Sequence, residues 1–284
     1  MSELAKRVLF AVIAVPVLLG IVWVGGAALT ILLAIAAGLA ASEFAALATS
    51  SGSAPLRPLL VGGAAAIPLV VHAVGLGLWV PPISVVALLV PLLLMVALWG
   101  RGVEGRPLEA VATTLLGLWY TGGLLSFAYA LRHHRFAIGA AAGTALVMFP
   151  MLVTWVTDAA AFFVGRAVGG PKLMPSVSPG KTISGAVGGV LGGAVTAWAY
   201  AAYLLPPTTR MGMTVGAAVA AGVLLSIVAQ IGDLVESLLK RQAGVKDSSQ
   251  LIPGHGGVLD RTDSLLFTLP VGFVLLDRLL ALGA

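Results

Sequence analysis

PLLVGGAAAIPLVVHAVGLGLWVPPISVVALLVPLLLMVALWG, residues 58–100, runs for 43 residues without an Asp, Glu, Lys or Arg. A bilayer crossing takes about 20 apolar residues, so this stretch holds two crossings, divided at the turn signal Pro81-Pro82. The same reading extends outward. Val8–Ser42 is free of charge for 35 residues and divides at Gly25-Gly26. Ala110–Leu131, Phe136–Thr157, Thr182–Thr209 and Met211–Gly232 each add one span. The sequence predicts an all-α polytopic membrane protein with nine transmembrane helices, near 8–24, 27–49, 58–78, 83–99, 110–131, 137–162, 183–205, 212–238 and 264–282. A β-barrel is excluded, because its strands alternate apolar and polar residues over about ten positions. Only 10% of the 284 residues are charged, whereas a soluble domain carries about a quarter. With no cysteine, disulfides and thiolate chemistry are excluded.

The placement of the 16 basic residues gives the orientation. Twelve fall on the side of the N-terminus: Lys6, Arg7, Arg57, Arg101, Arg106, Arg166, Lys172, Lys181, Lys240, Arg241, Lys246 and Arg261. Arg132, Arg135, Arg210 and Arg278 fall on the other. Positive charge stays inside, so the N-terminus is expected in the cytoplasm and the C-terminus outside. The protein is then integral and multi-pass, in the cytoplasmic (inner) membrane if the source is a bacterium. Lys6-Arg7 before an apolar stretch resembles a signal peptide, but no A-x-A cleavage site follows, so a retained first helix is expected. The net charge of +5 is no nucleic-acid footprint in such a chain.

The polar residues concentrate late. Six of the 11 acids lie between 158 and 263, while the first 110 residues carry one ionisable group at membrane depth, Glu43. Charges at that depth mark function by default. Residues 1–110 (helices one to four) are therefore expected to be scaffold. Residues 111–284 (helices five to nine) form the catalytic region, with cytoplasmic loops 163–182 and 239–263. On the eighth helix, Gln230, Asp233, Glu236, Ser237, Lys240 and Arg241 occupy one stripe about 140° wide at about 100° per residue. The loop Lys246-Asp247-Ser-Ser-Gln-Leu-Ile-Pro253-Gly254-His255-Gly256-Gly257-Val-Leu-Asp260-Arg261-Thr-Asp263 follows. Its glycines let backbone N–H groups approach a phosphate, and carboxylates beside Lys and Arg suit a Mg2+-nucleotide site. A solvated loop with Asp263 as N-cap of the last helix is the plainer alternative. A third cluster joins Asp158 and Phe162, one turn apart, with Ser178-Pro179-Gly180-Lys181-Thr182 at the start of helix seven, where a helix N-terminus favours an anion.

At these residues the chain resembles the phosphatidate cytidylyltransferases (CDP-diacylglycerol synthases). Their signature, S-x-x-K-R-x4-K-D-x-[small]-x2-[apolar]-[PG]-x-H-G-G-[apolar]-x-D-R-x-D, is met at every fixed position from Ser237 to Asp263. The Gly-Asp-Leu-x-Glu-Ser approach at 232–237 fits as well, as do D-x2-A-[FY]-x2-G-[RK] at Asp158, Ala161, Phe162, Gly165 and Arg166, and S-P-x-K-T at 178–182. Phe162 stands where the family commonly has Tyr, and Ser184 where it commonly has Glu. The likeness covers about 154–265.

The resemblance implies a dimeric nine-helix enzyme whose substrates are CTP and phosphatidate, drawn from the membrane lipid, and whose products are CDP-diacylglycerol and pyrophosphate. It implies a catalytic set of Asp233, Asp260, Lys240 and Arg261, with Asp233 and Asp260 as Mg2+ ligands and a second, monovalent or divalent, cation as an open alternative. Asp158, Ser178, Lys181, Ser237, Arg241, Lys246, Asp247, His255, Gly256, Gly257 and Asp263 form the substrate-binding set. His255 stands either as a donor to pyrophosphate or as part of the turn. Other CTP-using lipid enzymes, a polyprenol kinase or a CDP-archaeol-type synthase, share this chemistry. A secondary transporter would place its polar residues at midplane on broken helices, and the D-x2-D-G-x2-A-R pattern of CDP-alcohol phosphotransferases is absent.

Overall fold

The computed structural model describes residues 3–209, 211–251 and 256–282, with side chains from 12 to 280 within those ranges. Without water in a bilayer core, a spanning backbone must satisfy its own N–H and C=O groups, and a helix does so within one segment. The chain is accordingly mostly helical: α1 (Glu3–Val24), α2 (Gly26–Ser50), α3 (Arg57–Gly75), α4 (Ile83–Arg101), α5 (Pro107–Gly117), α6 (Phe127–Arg132), α7 (Gly139–Val168), α8 (Ile183–Ala199), α9 (Leu205–Thr209), α10 (Val215–Gln242) and α11 (Leu259–Leu279). A π-helical turn at Leu118–Gly123 lies between α5 and α6, and another at Tyr200–Leu204 between α8 and α9, giving long segments Pro107–Arg132 and Ile183–Thr209.

Among the described residues, seven segments are long and apolar enough to cross a membrane: α2, α3, α4, Pro107–Arg132, α7, Ile183–Thr209 and α10. The first and last expected segments are helical too, but Val12–Val24 is a shorter apolar helix, and α11 carries Asp260, Arg261, Asp263, Asp277 and Arg278. Gly25 (φ 66°) and Gly26 (φ 48°) turn the chain between α1 and α2, as the Gly-Gly pair predicts.

Two departures from the sequence reading bear on function. The segment after α7 is not all loop. Gly169 and Gly170 turn the backbone at positive φ into an antiparallel hairpin of β1 (Lys172–Met174) and β2 (Ser178–Thr182). A second short pairing joins β3 (Met211–Gly212) to β4 (Ala281–Leu282). The last helix also begins at Leu259, five residues before the expected 264, so Asp260, Arg261 and Asp263 lie in its opening turns and Asp263 is not its N-cap.

The chain packs as two units. The first contains Gly26–Tyr129 with Leu239–Arg261. Here α2 lies against α3, and small residues admit the π-helical turn. A Cβ on Gly122 would stand 2.5 Å from the Ala64 carbonyl oxygen, and one on Gly117 would stand 2.6 Å from Leu60. Arg101 donates to the Pro55 carbonyl at 2.9 Å, and the Leu56 amide to Thr114 Oγ1 at 2.8 Å.

The second unit contains Ala14–Gly25, Ala130–Leu238 and the chain from Thr262. Its centre is α8 against α7. Gly185, Gly188, Gly189, Gly192 and Gly193 recur at i, i+3/4 and i+7/8, so one helix face lacks side chains and the backbones approach closely. A Cβ on Gly188 would lie 2.6 Å from Val164, and one on Gly192 2.7 Å from Ala160. Thr157 Oγ1 and Ser226 Oγ meet at 2.8 Å, both buried, beside Gly193. Buried Arg132 donates to the Val22 and Trp23 carbonyls at 2.6 and 2.7 Å, satisfying orphan acceptors at the end of α1.

Two outcomes follow for stability. A Cβ at Gly193 would fall 1.8 Å from Ser226 Oγ, so Gly193→Ala is expected to lower unfolding stability by about 2 kcal/mol in detergent thermal melts. Gly216→Ala, whose Cβ meets nothing within 4 Å, should not lower it. The second concerns His134, which is buried against Phe136 and Phe273 with Nε2 3.4 Å from Asp277 Oδ1. Burial lowers its pKa below the usual 6.5; Asp277 partly offsets this and Arg135 lowers it again. The unfolded chain therefore takes up the proton first on acidification. The contribution of neutral His134 is present above about pH 6.5 and lost as pH falls through the folded pKa. Melts at pH 7.5 and 5.5 should show a smaller acid loss in His134→Gln than in the parent.

Candidate active site

The hairpin and the ends of α7, α8 and α10 in the second unit enclose a cleft of about 630 Å3. Its walls carry Asp158, Arg166, Lys172, Lys181, Gln230 and Asp233, with Gly165, Gly169, Gly170, Gly180 and Gly185 leaving backbone exposed between them. Local structure explains each placement. Thr182 caps α8, its hydroxyl accepting from the Gly185 amide at 3.1 Å. A Cβ on Gly165 would stand 2.8 Å from that hydroxyl, so the lack of a side chain lets α7 pass close to the cap. Ser184, where a Glu would be common, donates to the Gly169 carbonyl and ties the turn down.

Lys181 forms an ion pair with Asp233, and Ser237, one turn on, reaches the other Asp233 oxygen at 3.4 Å. Gln230 donates to the Ala186 carbonyl at 3.3 Å. The cleft thus collects three cations against two carboxylates, a net-positive pocket with glycine backbone, which suits a polyphosphate. Of the expected residues it joins Asp158, Lys181 and Asp233; Ser178 lies on β2 of the same hairpin. Lys172 was legible in the sequence only as a cation on the N-terminal side, and Arg166 as that and as the last position of the Asp158 pattern.

The first unit contains the second group. Asp260, whose side chain is 5% exposed, takes Lys240 Nζ on Oδ1 at 2.7 Å. Its Oδ2 accepts from the Ser248 amide at 2.9 Å and the Gly257 amide at 2.8 Å, and lies 2.8 Å from the Ser248 hydroxyl. Gly256 takes φ 78°, and a Cβ there would stand 2.6 Å from Asp260 Oδ2. Glycine is required on both counts.

Glu43 of α2 reaches the same segment. Buried to 6% exposure, it accepts from Ser249 Oγ (2.7 Å), Val258 N (3.0 Å) and Leu259 N (2.8 Å), and lies 3.1 Å from Ser248 Oγ. Val258 and Leu259 open α11, so a carboxylate from a distant helix serves as its cap, where negative charge meets the positive end of the helix dipole. This explains the early start of α11. The sequence showed Glu43 as an isolated intramembrane acid but not its partner.

Arg241 donates to the Val245 carbonyl at 3.1 Å and closes the turn after α10. Lys246, Asp247 and Arg261 are exposed. Asp263 Oδ1 accepts from the Ser264 amide at 2.6 Å. Glu236, on the polar stripe of α10, is fully buried. His255 lies outside the described residues.

The oxygen donors suit a hard divalent cation, which binds through one or two carboxylates plus substrate phosphates. Asp233 and the Oδ1 edge of Asp260 each already pair with a lysine ammonium, so each is a carboxylate set to hold positive charge. No group of three or more His, Cys, Asp or Glu stands together among the described residues.

Residues 5–279 match the sequence model of the cytidylyltransferase family. A phosphatidate cytidylyltransferase of Brucella melitensis is 40% identical over 270 residues, covering 94% of this chain and 90% of the relative. Another, of Staphylococcus epidermidis, is 41% identical over 138 residues, or 47% of this chain and 50% of the relative. A third, of Staphylococcus haemolyticus, is 36% identical over 173 residues, covering 59% and 60%. With a match along nearly its whole length, this chain belongs to the cytidylyltransferase family.

Proposed function

We propose that this protein transfers CMP from CTP to phosphatidate, releasing pyrophosphate and forming CDP-diacylglycerol for phospholipid synthesis. The observation that carries this reading is 40% identity across 94% of the chain to a relative named for that reaction. The cationic cleft and the lysine-paired carboxylates supply the chemistry it needs. A phosphate oxygen of phosphatidate attacks the α-phosphorus of CTP, the bond from that phosphorus to the bridging oxygen breaks, and pyrophosphate leaves with the electron pair. The attacking phosphate monoester is already ionised near neutral pH, so no side chain need act as nucleophile or base. The barrier lies in bringing polyanions together and stabilising charge on the leaving group, a task for preorganised cations.

Arg166, Lys172 and Lys181 supply that charge in the cleft of the second unit, and Lys240, with the exposed Arg241, Lys246 and Arg261, carries such charge in the first. Asp233 of the second unit and Asp260 of the first are the carboxylates that would hold Mg2+, which when bound would neutralise phosphate charge and polarise the P–O bonds. Lys181 and Lys240, each paired with one of these carboxylates, hold an ammonium where a phosphate would need one. Asp158, Ser178 and Ser237 orient the groups around them. The chain crosses the inner membrane nine times with its N-terminus and both polar regions cytoplasmic, the side on which CTP is found, and it works as a dimer.

Mixed micelles of phosphatidate with CTP labelled at the α- or γ-phosphorus test the reaction. Label in lipid from the α position alone is expected; label from the γ position would make the protein a kinase and overturn the reading. Asp233→Asn and Asp260→Asn should each lower turnover by about 10²–10³-fold while still inserting in membranes, and chelation of Mg2+ should stop the parent enzyme. For the topology, an accessibility label at residues 245–250 should react from the cytoplasmic side; reaction only from outside removes the proposed siting.

A further inference from the structure

We infer that Glu43 is a positioning residue for the reaction, acting from α2 through the segment that carries Asp260. The inference rests on the CMP-transfer reading for its consequence, but its geometry stands independently. Glu43 is 205 to 216 positions away from its four partners in sequence. Its Oε1 takes Ser249 Oγ and the Val258 amide, and its Oε2 takes the Leu259 amide and faces Ser248 Oγ. One carboxylate therefore grips both ends of the polar segment, the serines that enter it and the first amides of α11 that leave it.

Asp260, one residue beyond Leu259, is the second centre of the same network. Ser248 joins the two, with its hydroxyl 3.1 Å from Glu43 and 2.8 Å from Asp260. That hydroxyl has one proton, so it donates to one carboxylate at a time, and the other carboxylate depends on its remaining donors. For Asp260 these are the Ser248 and Gly257 amides and Lys240. Gly257 sits in the grip itself: a Cβ there would stand 2.4 Å from Glu43 Oε2 and 2.2 Å from Ser248 Oγ. The position of the Gly257 amide, and with it the direction of the Asp260 carboxylate, is set by contact with Glu43. Oδ2 of Asp260 is turned to the loop, which leaves Oδ1 and Lys240 as the edge offered to a phosphate or cation. A misplacement of about 1 Å at such a centre costs about 10²-fold in rate.

Glu43→Gln keeps the shape and half the acceptors, and it removes the charge at the start of α11. The full-length protein in detergent should retain its thermal midpoint within a few degrees, while kcat for CMP transfer falls about 10- to 100-fold and KM for CTP changes by less than about threefold. Amide exchange in a peptide spanning 256–261 should quicken about tenfold as the Val258 and Leu259 amides lose their acceptor, a readout that needs no turnover. Wild-type kcat in Glu43→Gln overturns the inference, as does a loss of kcat matched by an equal loss of folded protein. Should Glu43→Gln fail to accumulate, Ser249→Ala removes one donor to Glu43 from an accessible segment. It is expected to lower kcat about three- to tenfold with KM unchanged, and an unchanged kcat again overturns the proposal. Absence of CMP transfer by the parent protein would instead overturn the functional reading and leave the exchange result to decide the geometry.

Discussion

A charged or polar group carried toward an apolar layer must find its partner within the protein, because no water is there to solvate it. This constraint orders the molecule more than any apolar contact does. Buried Arg132 is met by the last carbonyls of α1, the Thr157 and Ser226 hydroxyls by each other, and Asp260 by two backbone amides and a lysine. Each pairing also fixes a position in space. A helix end, a helix–helix distance and a loop conformation are set by three different applications of one rule. Apolar packing alone specifies much less in a membrane, since lipid tails are as good a partner for leucine as another leucine is.

The candidate active site uses the same rule with the opposite outcome in view. Lys181 with Asp233 and Lys240 with Asp260 are pairs whose desolvation is compensated only while both partners are present. Each carboxylate therefore keeps a lysine ammonium beside it. The glycines around them serve a different end. At Gly165, Gly185 and Gly257 a side chain would collide with Thr182, Ala161 and Glu43 respectively, so bare backbone is the condition for the close approach of functional segments.

Much of the helical plan was legible in the sequence, because length without charge is a direct readout of bilayer thickness. The polar stripe on α10 and the run from Lys246 to Asp263 were legible as well, being local in the chain. What escaped was non-local. Nothing in the periodicity of α2 says that Glu43 faces Ser249 and Leu259. A helix-start rule that looks for Ser, Thr, Asp or Asn just before an apolar run could not find a cap supplied from more than 200 positions away. The β1–β2 hairpin escaped for a related reason. Its strands are three and five residues long, too short for an alternation signal, and it is the Gly169-Gly170 turn that directs the chain into it. Lys172, on β1 just past that turn, then lines the cleft with Arg166 of α7.

The scarcity of charge is what makes these non-local pairings decisive. In a soluble protein a lone glutamate on a helix is met by water and says little about the fold. Here Glu43 sits inside a 25-residue apolar helix, and its carboxylate has three donors at 3.0 Å or closer. Such a group is tolerated only if the segment bringing those donors is in place, and that segment is ordered only if the carboxylate is there. The two requirements are reciprocal. They couple a helix in the first 50 residues to the start of the last helix, so the one carboxylate of that apolar helix helps to place the segment that carries Asp260.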